Sequence, residues 1–595
     1  MANGEIRSDA AGEPGEELPE WNLDDLYPGP RSAEIRDDLD RTRDLAGAFA
    51  TRYRGQVAGL AGNGLVAAIA EYEAIDETLS RLASYASLLH AGDLADPEIG
   101  TACQDIREDV ATIAADLVFF RLEIAALPDR QEDAGRYGPW IRDVGVFRDY
   151  QLDPETERLL HEKDVVGRQA WIRLYDETLA DLKFPVRGEE CGIAGVSGML
   201  ADPDPALRRE AGASLGRVLG ENIRVFALIT NTLARDREIE DRWRGLPGPV
   251  TWRNLHNLVE DEVVEALTTA VRRAWPSLSH RYYAIKARNF GVGALDWQDR
   301  NAPWPDADTR MIPWPEARQA VLGAWRGFLP EMAAIGERFF DGGWIDAGLR
   351  PGKASGAFSH PTVPGVHPYI LLNYQGRPRD AMTLAHELGH GIHQVVAGEQ
   401  GHLLSATPLT LAETASVFGE MLAFRSLLEA APDIRTQRAL LAGKIEDMLN
   451  TVTRQIALFE FEKQVHARRR EGELTPDQLD GIWLETQIES LGPAIRMEGG
   501  ARHLWARIPH FIHAPFYVYA YAFGDCLVNS LYALYEEAPE GFAEKYLEML
   551  RAGGTLRHGE LLAPFGLDAG DPELWDRGLR VIGGMIDRLE ALEGK

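Results

Sequence analysis

The sequence predicts a mainly α-helical protein with a small β-sheet, and three observations carry that prediction. Long stretches place apolar residues three and four apart, with Glu, Asp and Arg between them, as in helices that bury one face. The clearest strand candidate is the run Val366-His367-Pro368-Tyr369-Ile370-Leu371-Leu372-Asn373-Tyr374, which is β-branched, aromatic and aliphatic. At 595 residues the chain can bury an ample core, and more than one structural lobe is expected.

Taken in order, residues 1–18 are rich in Gly, Glu, Ala and Pro and are expected to be disordered. Helical periodicity runs through 33–53, 65–89, 97–127 and 154–182, which together suggest a helical N-terminal domain over 19–190. Phe184-Pro185-Val186-Arg187-Gly188 interrupts the pattern and places a boundary near 190, with a second domain over 191–595. Further helices are expected over 205–242 and 260–288, and Pro-containing loops over 297–305 and 361–368. After the strand, Gln375-Gly376-Arg377-Pro378 breaks the chain, and Asp380 is suited to N-cap the helix that follows. A long amphipathic helix covers 435–470, and Thr475-Pro476-Asp477 starts another.

The helix after the strand carries His386-Glu387-Leu388-Gly389-His390. Residues four apart on a helix share a face and lie roughly 6 Å apart along the axis. His386 and His390 can therefore grip one metal ion, while Glu387 reaches a water bound to it. Two neutral imidazoles, an open coordination position and an adjacent carboxylate base are what a zinc hydrolase needs. The strand before the helix has a second use if it lies at a sheet edge, where it can pair with an extended peptide.

A third ligand is required. His393 lies on the same face as His386, but seven residues span roughly 10.5 Å of axis against a zinc–nitrogen bond of about 2.0–2.1 Å. It therefore reads as a supporting group beside the site. The pattern HExxHxxGxxH is excluded, because His393 and Val396 occupy its Gly and final His positions. The next helix offers Glu413 and Glu420, seven apart on one face. Thr410 and Glu413 also fit a capping box. Beside an HExxH helix, Glu413 reads as the third ligand and Glu420 as the acceptor that orients a histidine.

Lys353-Ala354-Ser355-Gly356-Ala357-Phe358, Pro368-Tyr369-Ile370-Leu371-Leu372-Asn373-Tyr374, the HELGH helix and Ala412-Glu413-Thr414-Ala415-Ser416 form one set of motifs. A C-terminal run, Ile508-Pro509-His510-Phe511-Ile512-His513-Ala514-Pro515-Phe516-Tyr517-Val518-Tyr519-Ala520-Tyr521, belongs with them. Together they resemble the oligoendopeptidase F branch of the thimet oligopeptidase family of zinc metallopeptidases. The similarity covers about residues 205 to 590 and is weaker before 200, where Trp21-Asn22-Leu23-Asp24-Asp25-Leu26-Tyr27 is its main trace. The resemblance implies a helical ellipsoid whose deep channel admits short peptides, with 191–595 as the catalytic domain. It implies one zinc per chain held by His386, His390 and Glu413, with Glu387 as general base. It also implies that a His and one or more Tyr of the C-terminal run face the substrate, where O–H or N–H donors stabilise an oxyanion. His510, Tyr517, Tyr519 and Tyr521 are the candidates, and spacing does not rank the tyrosines. His513 stands where relatives often carry an aromatic residue.

Charge and composition narrow the remaining classes. A formal net charge of −31 argues against binding nucleic acid or an anionic membrane. Three widely separated cysteines, Cys103, Cys191 and Cys526, supply no disulfide framework or CxxC motif and fit a reducing compartment. The N-terminal residues lack a basic start and an apolar core, and no apolar run approaches a membrane span, so a cytoplasmic location is expected. The sequence sets no oligomeric state. The expected activity is a zinc endopeptidase acting on short oligopeptides. An alternative is an exopeptidase of the dipeptidyl carboxypeptidase type, with Arg496, Arg502 or Arg507 clamping the substrate carboxylate. A non-catalytic peptide-binding protein is a third reading that no residue favours.

Overall fold

The computed structural model describes residues 18–128, 131–304 and 311–593. The disorder expected for 1–18 lies, apart from Leu18, outside the described residues, as does the end of the 297–305 loop. The chain is mainly helical, and among the described residues no strand exceeds three residues. It forms two compact units, each drawn from three stretches. The first takes Met1–Arg148, Thr309–Ala430 and Ala538–Phe565; the second takes Asp149–Asp308, Ala431–Glu537 and Gly566–Lys595. The boundary expected near 190 falls inside the second unit, at an antiparallel strand pair, Phe184–Val186 with Glu189–Cys191. A hairpin interrupts helical periodicity there without ending a packed unit.

Most helices lie where the periodicity puts them. Several long ones are divided. The stretch 260–288 becomes Asp261–Ala274 and Ser279–Asn289, because Pro276 lacks the N–H that would continue the helix. The stretch 435–470 becomes Ile434–Thr451 and Thr453–Glu471, separated at Val452 within three successive β-branched residues. In 154–182 the break is at Gly167, and 97–127 divides into Pro97–Ala115 and Val118–Ala126. The helix Pro205–Arg244 runs unbroken for 40 residues and ends on Gly245, whose φ of 72° suits a left-handed cap.

The first unit holds a three-stranded sheet in the order Ile345–Asp346, Tyr369–Leu371, Phe358–His360, the first pair parallel and the second antiparallel. The strand read from the sequence is thus the buried middle strand, reduced to Tyr369–Leu371. An edge role for it is ruled out, since both its sides are paired; Phe358–His360 is an edge instead. A buried ionic cluster fixes the sheet. Asp346 accepts from Lys353 Nζ at 2.6 Å and from Arg350 Nη2 at 2.7 Å. Lys353 also donates to the carbonyls of Gly348 and Leu372, so its burial carries the hydrogen bonds a desolvated ammonium needs.

The chain leaves the sheet into helix Pro378–Ala397. Its N-cap is Arg377, not Asp380; Asp380 lies three residues in and accepts from the backbone N–H groups of Gln375 and Arg377. Pro378 suits the first helical turn because it needs no N–H there, and that shifts the start forward. This helix packs on Thr414–Glu429 at very short range. A Cβ on Gly389 would lie 2.4 Å from the Ala415 carbonyl oxygen, and one on Gly419 would lie 2.4 Å from the Trp325 ring. Behind the pair, Phe328, Phe418, Phe542 and Tyr546 form an aromatic block. Tyr546 donates its hydroxyl to the Thr414 carbonyl at 2.7 Å.

Candidate metal centre

His386 and His390 lie one turn apart on Pro378–Ala397, with ring centroids 4.9 Å apart and planes at 84°. Their Nε2 atoms are each 3.4 Å from Glu413 Oε2. Ligand atoms of the three side chains all lie within 4.8 Å of one another. Glu413 occupies the junction between the short helix Leu409–Ala412 and helix Thr414–Glu429. Its carboxylate turns to the two imidazoles and accepts from Ser416 Oγ at 2.6 Å, which is not the capping-box geometry with Thr410. Glu420, two turns further on, has Oε2 at 3.3 Å from His386 Nδ1, leaving Nε2 of that ring for the cluster.

The site's electrostatics favour a cation. Burial pulls the His386 imidazole down, yet the hydrogen bond to Glu420 and the charges of Glu413, Glu420 and Glu387 outweigh it and hold it up at about 9. Burial pushes Glu413 upward, but its hydrogen bond to His390, the charge of both imidazoles and Ser416 bring it down to about 2. A field that stabilises positive charge between two imidazoles, and a two-nitrogen, one-oxygen donor set on a half-open site, fit a zinc ion with a position left for water or substrate.

Glu387 points elsewhere on the same turn and is only 7% exposed. Burial raises its carboxyl above the usual range; the imidazoles and a hydrogen bond from the Ser359 backbone oppose that rise. The edge strand Phe358–His360 therefore lies beside this carboxylate. His393 is buried outside the cluster, its Nε2 at 3.4 Å from Thr407 Oγ1, and burial brings it down to about 4. It braces the chain that leads to Glu413. Sequence reasoning missed Ser416 and Ser359. Ser416 was within reach, since it stands three residues after Glu413 on one helical face.

The C-terminal run lies in the second unit and sorts its own side chains. His510 stacks on Tyr517 at 5.8 Å, Tyr521 meets Tyr517 edge-on at 5.2 Å, and Tyr521 Oη is 3.4 Å from His510 Nε2. Tyr519 is apart from them: it is fully buried, and its hydroxyl accepts from Asn257 Nδ2 at 2.8 Å. His513 turns to Asp176, with Nε2 at 2.9 Å from Oδ1. Of the arginines considered for a carboxylate clamp, Arg496 pairs with Asp296 and Arg502 with Asp480, while Arg507 has no acid partner among the described residues and gives Nη1 to Ser197 Oγ.

Known proteins resemble this chain in sequence and fold. The profile of Peptidase family M3 matches residues 331–581, and that of Oligopeptidase F matches residues 123–184. An oligoendopeptidase F homolog of Borreliella burgdorferi is 33% identical over 501 residues, covering 82% of this chain and 84% of the relative. Oligopeptidase PepF of Bacillus subtilis is 23% identical over 589 residues, covering 96% and 87%. The fold matches the crystal structure of oligoendopeptidase-F from Enterococcus faecium with a TM-score of 0.68 at 21% identity, over 94% of this chain and 98% of that one. A Chlamydophila abortus structure gives a TM-score of 0.85 at 22% identity, over 96% and 98%. The fold and the helix-borne site are those of a metallopeptidase. The chain belongs to peptidase family M3, in its oligoendopeptidase F branch.

Proposed function

We propose that this peptidase is a zinc-dependent endopeptidase that hydrolyses peptide bonds within short oligopeptides. The observation that carries the reading is the convergence of His386, His390 and Glu413 within 4.8 Å, with Glu387 on the same helical turn. These three residues would hold the ion, and Glu420 would orient His386. A bound zinc ion supplies Lewis acidity toward a carbonyl and lowers the pKa of water. Glu387 takes the proton of the attacking water and delivers it to the leaving amine. His510, Tyr517 and Tyr521 supply donors to the substrate, while the Tyr519 hydroxyl stays in the protein interior. Among the described residues no helix is long and apolar enough to cross a membrane.

Metal analysis and a quenched fluorescent peptide assay test the reading together. Wild type should carry about one zinc per chain and lose activity to a chelator. Glu387→Gln should keep the metal and lose turnover by roughly a hundredfold or more, and unimpaired turnover removes Glu387 as the base. Glu413→Ala should lower zinc occupancy. A peptide blocked at both ends should still be cut; failure to cut it, with cleavage of the free peptide, would favour the exopeptidase.

A further inference from the structure

The second unit contains a cavity of about 60 Å³ whose charged lining residues are all arginines. Arg300, Arg454 and Arg507 line it with Gln298, Asn301 and Gln487, and the rest of the wall is aromatic or aliphatic. No carboxylate is among the described residues of the wall. This is unusual in a chain whose acids outnumber its basic residues 93 to 62. Elsewhere many arginines find acids: Arg208 pairs with Asp299, Arg244 with Glu157, and Arg502 with Asp480.

Here the donors are left unspent. Arg507 gives Nη1 to Ser197 Oγ at 2.8 Å, but its Nε is buried without a partner. Gln487 is only 3% exposed, and its Nε2 is also buried without a partner. Among the described residues Arg300 and Arg454 make no side-chain hydrogen bond or ion pair. Burial, and then the mutual repulsion of these guanidinium groups, brings Arg454 down to about 9 and Arg507 to about 10. Gathering three half-buried like charges around one small cavity is costly unless a counter-charge enters it. Planar guanidinium groups are the side chains best shaped to hold such an anion.

We propose that Arg300, Arg454 and Arg507, with Gln487, form a binding site for one small anion of carboxylate or halide size. A compact anion such as acetate or chloride suits so small a cavity. Its source is either a free solute ion or the C-terminal carboxylate of a peptide. Ile508 lines the cavity, two residues before His510, so an anion there adjoins the His510–Tyr521 segment.

The test is thermal unfolding of the full chain at constant ionic strength, replacing the sodium salt of a bulky morpholine sulfonate with sodium acetate or chloride. Wild type should show a saturable rise in Tm with the small anion, as ligand linkage requires. Arg454→Met should lose that response while keeping its zinc content, and its Tm in the bulky salt should be no lower than wild type's. Should that variant fail to fold, Gln487→Leu should weaken the apparent acetate affinity at least threefold. A response that is absent, or linear in salt and unchanged in the variants, overturns the site. With the site established, peptides identical but for a free or amidated C-terminus identify the source. Competition by acetate against the free acid alone, with KM about tenfold higher for the amide, assigns a peptide carboxylate; equal KM values assign a free ion. Unfolding is read without turnover, so the result stands apart from the zinc mechanism.

Discussion

At the scale of single residues, the three tyrosines of the C-terminal run separate by what their hydroxyls touch. Tyr519 is fully buried and is the acceptor for Asn257 Nδ2. Tyr519→Phe removes one acceptor of that amide in the interior, which should cost about 0.5–1.5 kcal/mol with little effect on kcat. Tyr517 and Tyr521 stand against His510 and are the proposed substrate donors. Phe at either position should lower kcat by roughly a hundredfold, the usual effect of removing one oxyanion donor, with a smaller change in Tm than Tyr519→Phe gives. Measuring Tm and kcat on the three variants checks the division; a large kcat loss confined to Tyr519→Phe reverses it. The sequence holds all three at equal standing because they alternate in one run, and a spacing of two does not say which hydroxyl meets a buried amide 262 positions away.

At the scale of elements, the site depends on two helices approaching at backbone distance. Gly389 makes that possible, since an added Cβ would lie 2.4 Å from Ala415 O and 2.6 Å from Ser416 Cα. Neither backbone atom can swing aside as a flexible side chain would. Gly389→Ala should therefore destabilise the protein by about 1–3 kcal/mol, as overpacking does. It should also lower zinc occupancy, because Glu413 lies two residues before the displaced backbone. Gly443→Ala is the control: it lies in helix Ile434–Thr451 with nothing within 4 Å of an added Cβ, and should stabilise by about 0.4–1 kcal/mol. Denaturation midpoints and metal content decide; equal stability for both variants sinks the packing argument. The elements that were legible share a local cause. Ala33–Tyr53 and the Thr475-capped helix Pro476–Leu491 follow from periodicity and caps, and HELGH carries its helical geometry with it. The interleaving of two units and the middle position of Tyr369–Leu371 depend on contacts distant in sequence. The anion site was invisible for the same reason, since Arg300, Arg454 and Arg507 share no motif.

At the scale of the whole molecule, the pH dependence of stability should carry the mark of two buried groups around Phe516. Glu462 accepts from the Phe516 N–H at 2.9 Å, and its other oxygen is buried without a partner. Burial raises its carboxyl to about 8, with the Phe516 N–H and the Arg253 charge opposing. The folded chain therefore keeps a proton that the unfolded chain releases above about pH 4.5, and this contribution to stability is lost as pH rises toward 8. His466, packed on the Phe516 ring at 4.7 Å, has the reverse sign. Burial, then Arg237, Arg470 and Arg168, brings it down to about 3, so the unfolded chain gains a proton below about pH 6.5 that the folded chain refuses. Its contribution is full above that pH and is lost on acidification. Between about pH 4.5 and 6.5 the two slopes oppose each other. From 6.5 to 8 only Glu462 of this pair contributes, with a slope of up to about 1.4 kcal/mol per pH unit. Glu462→Gln keeps an acceptor for Phe516 and cannot ionise. Its Tm should therefore fall less than wild type's across pH 6.5–8, while the two curves run parallel above pH 9. Parallel curves through the lower window would mean that Glu462 is ionised in the folded chain, and the slope would have to come from other groups of a molecule with a net charge of −31.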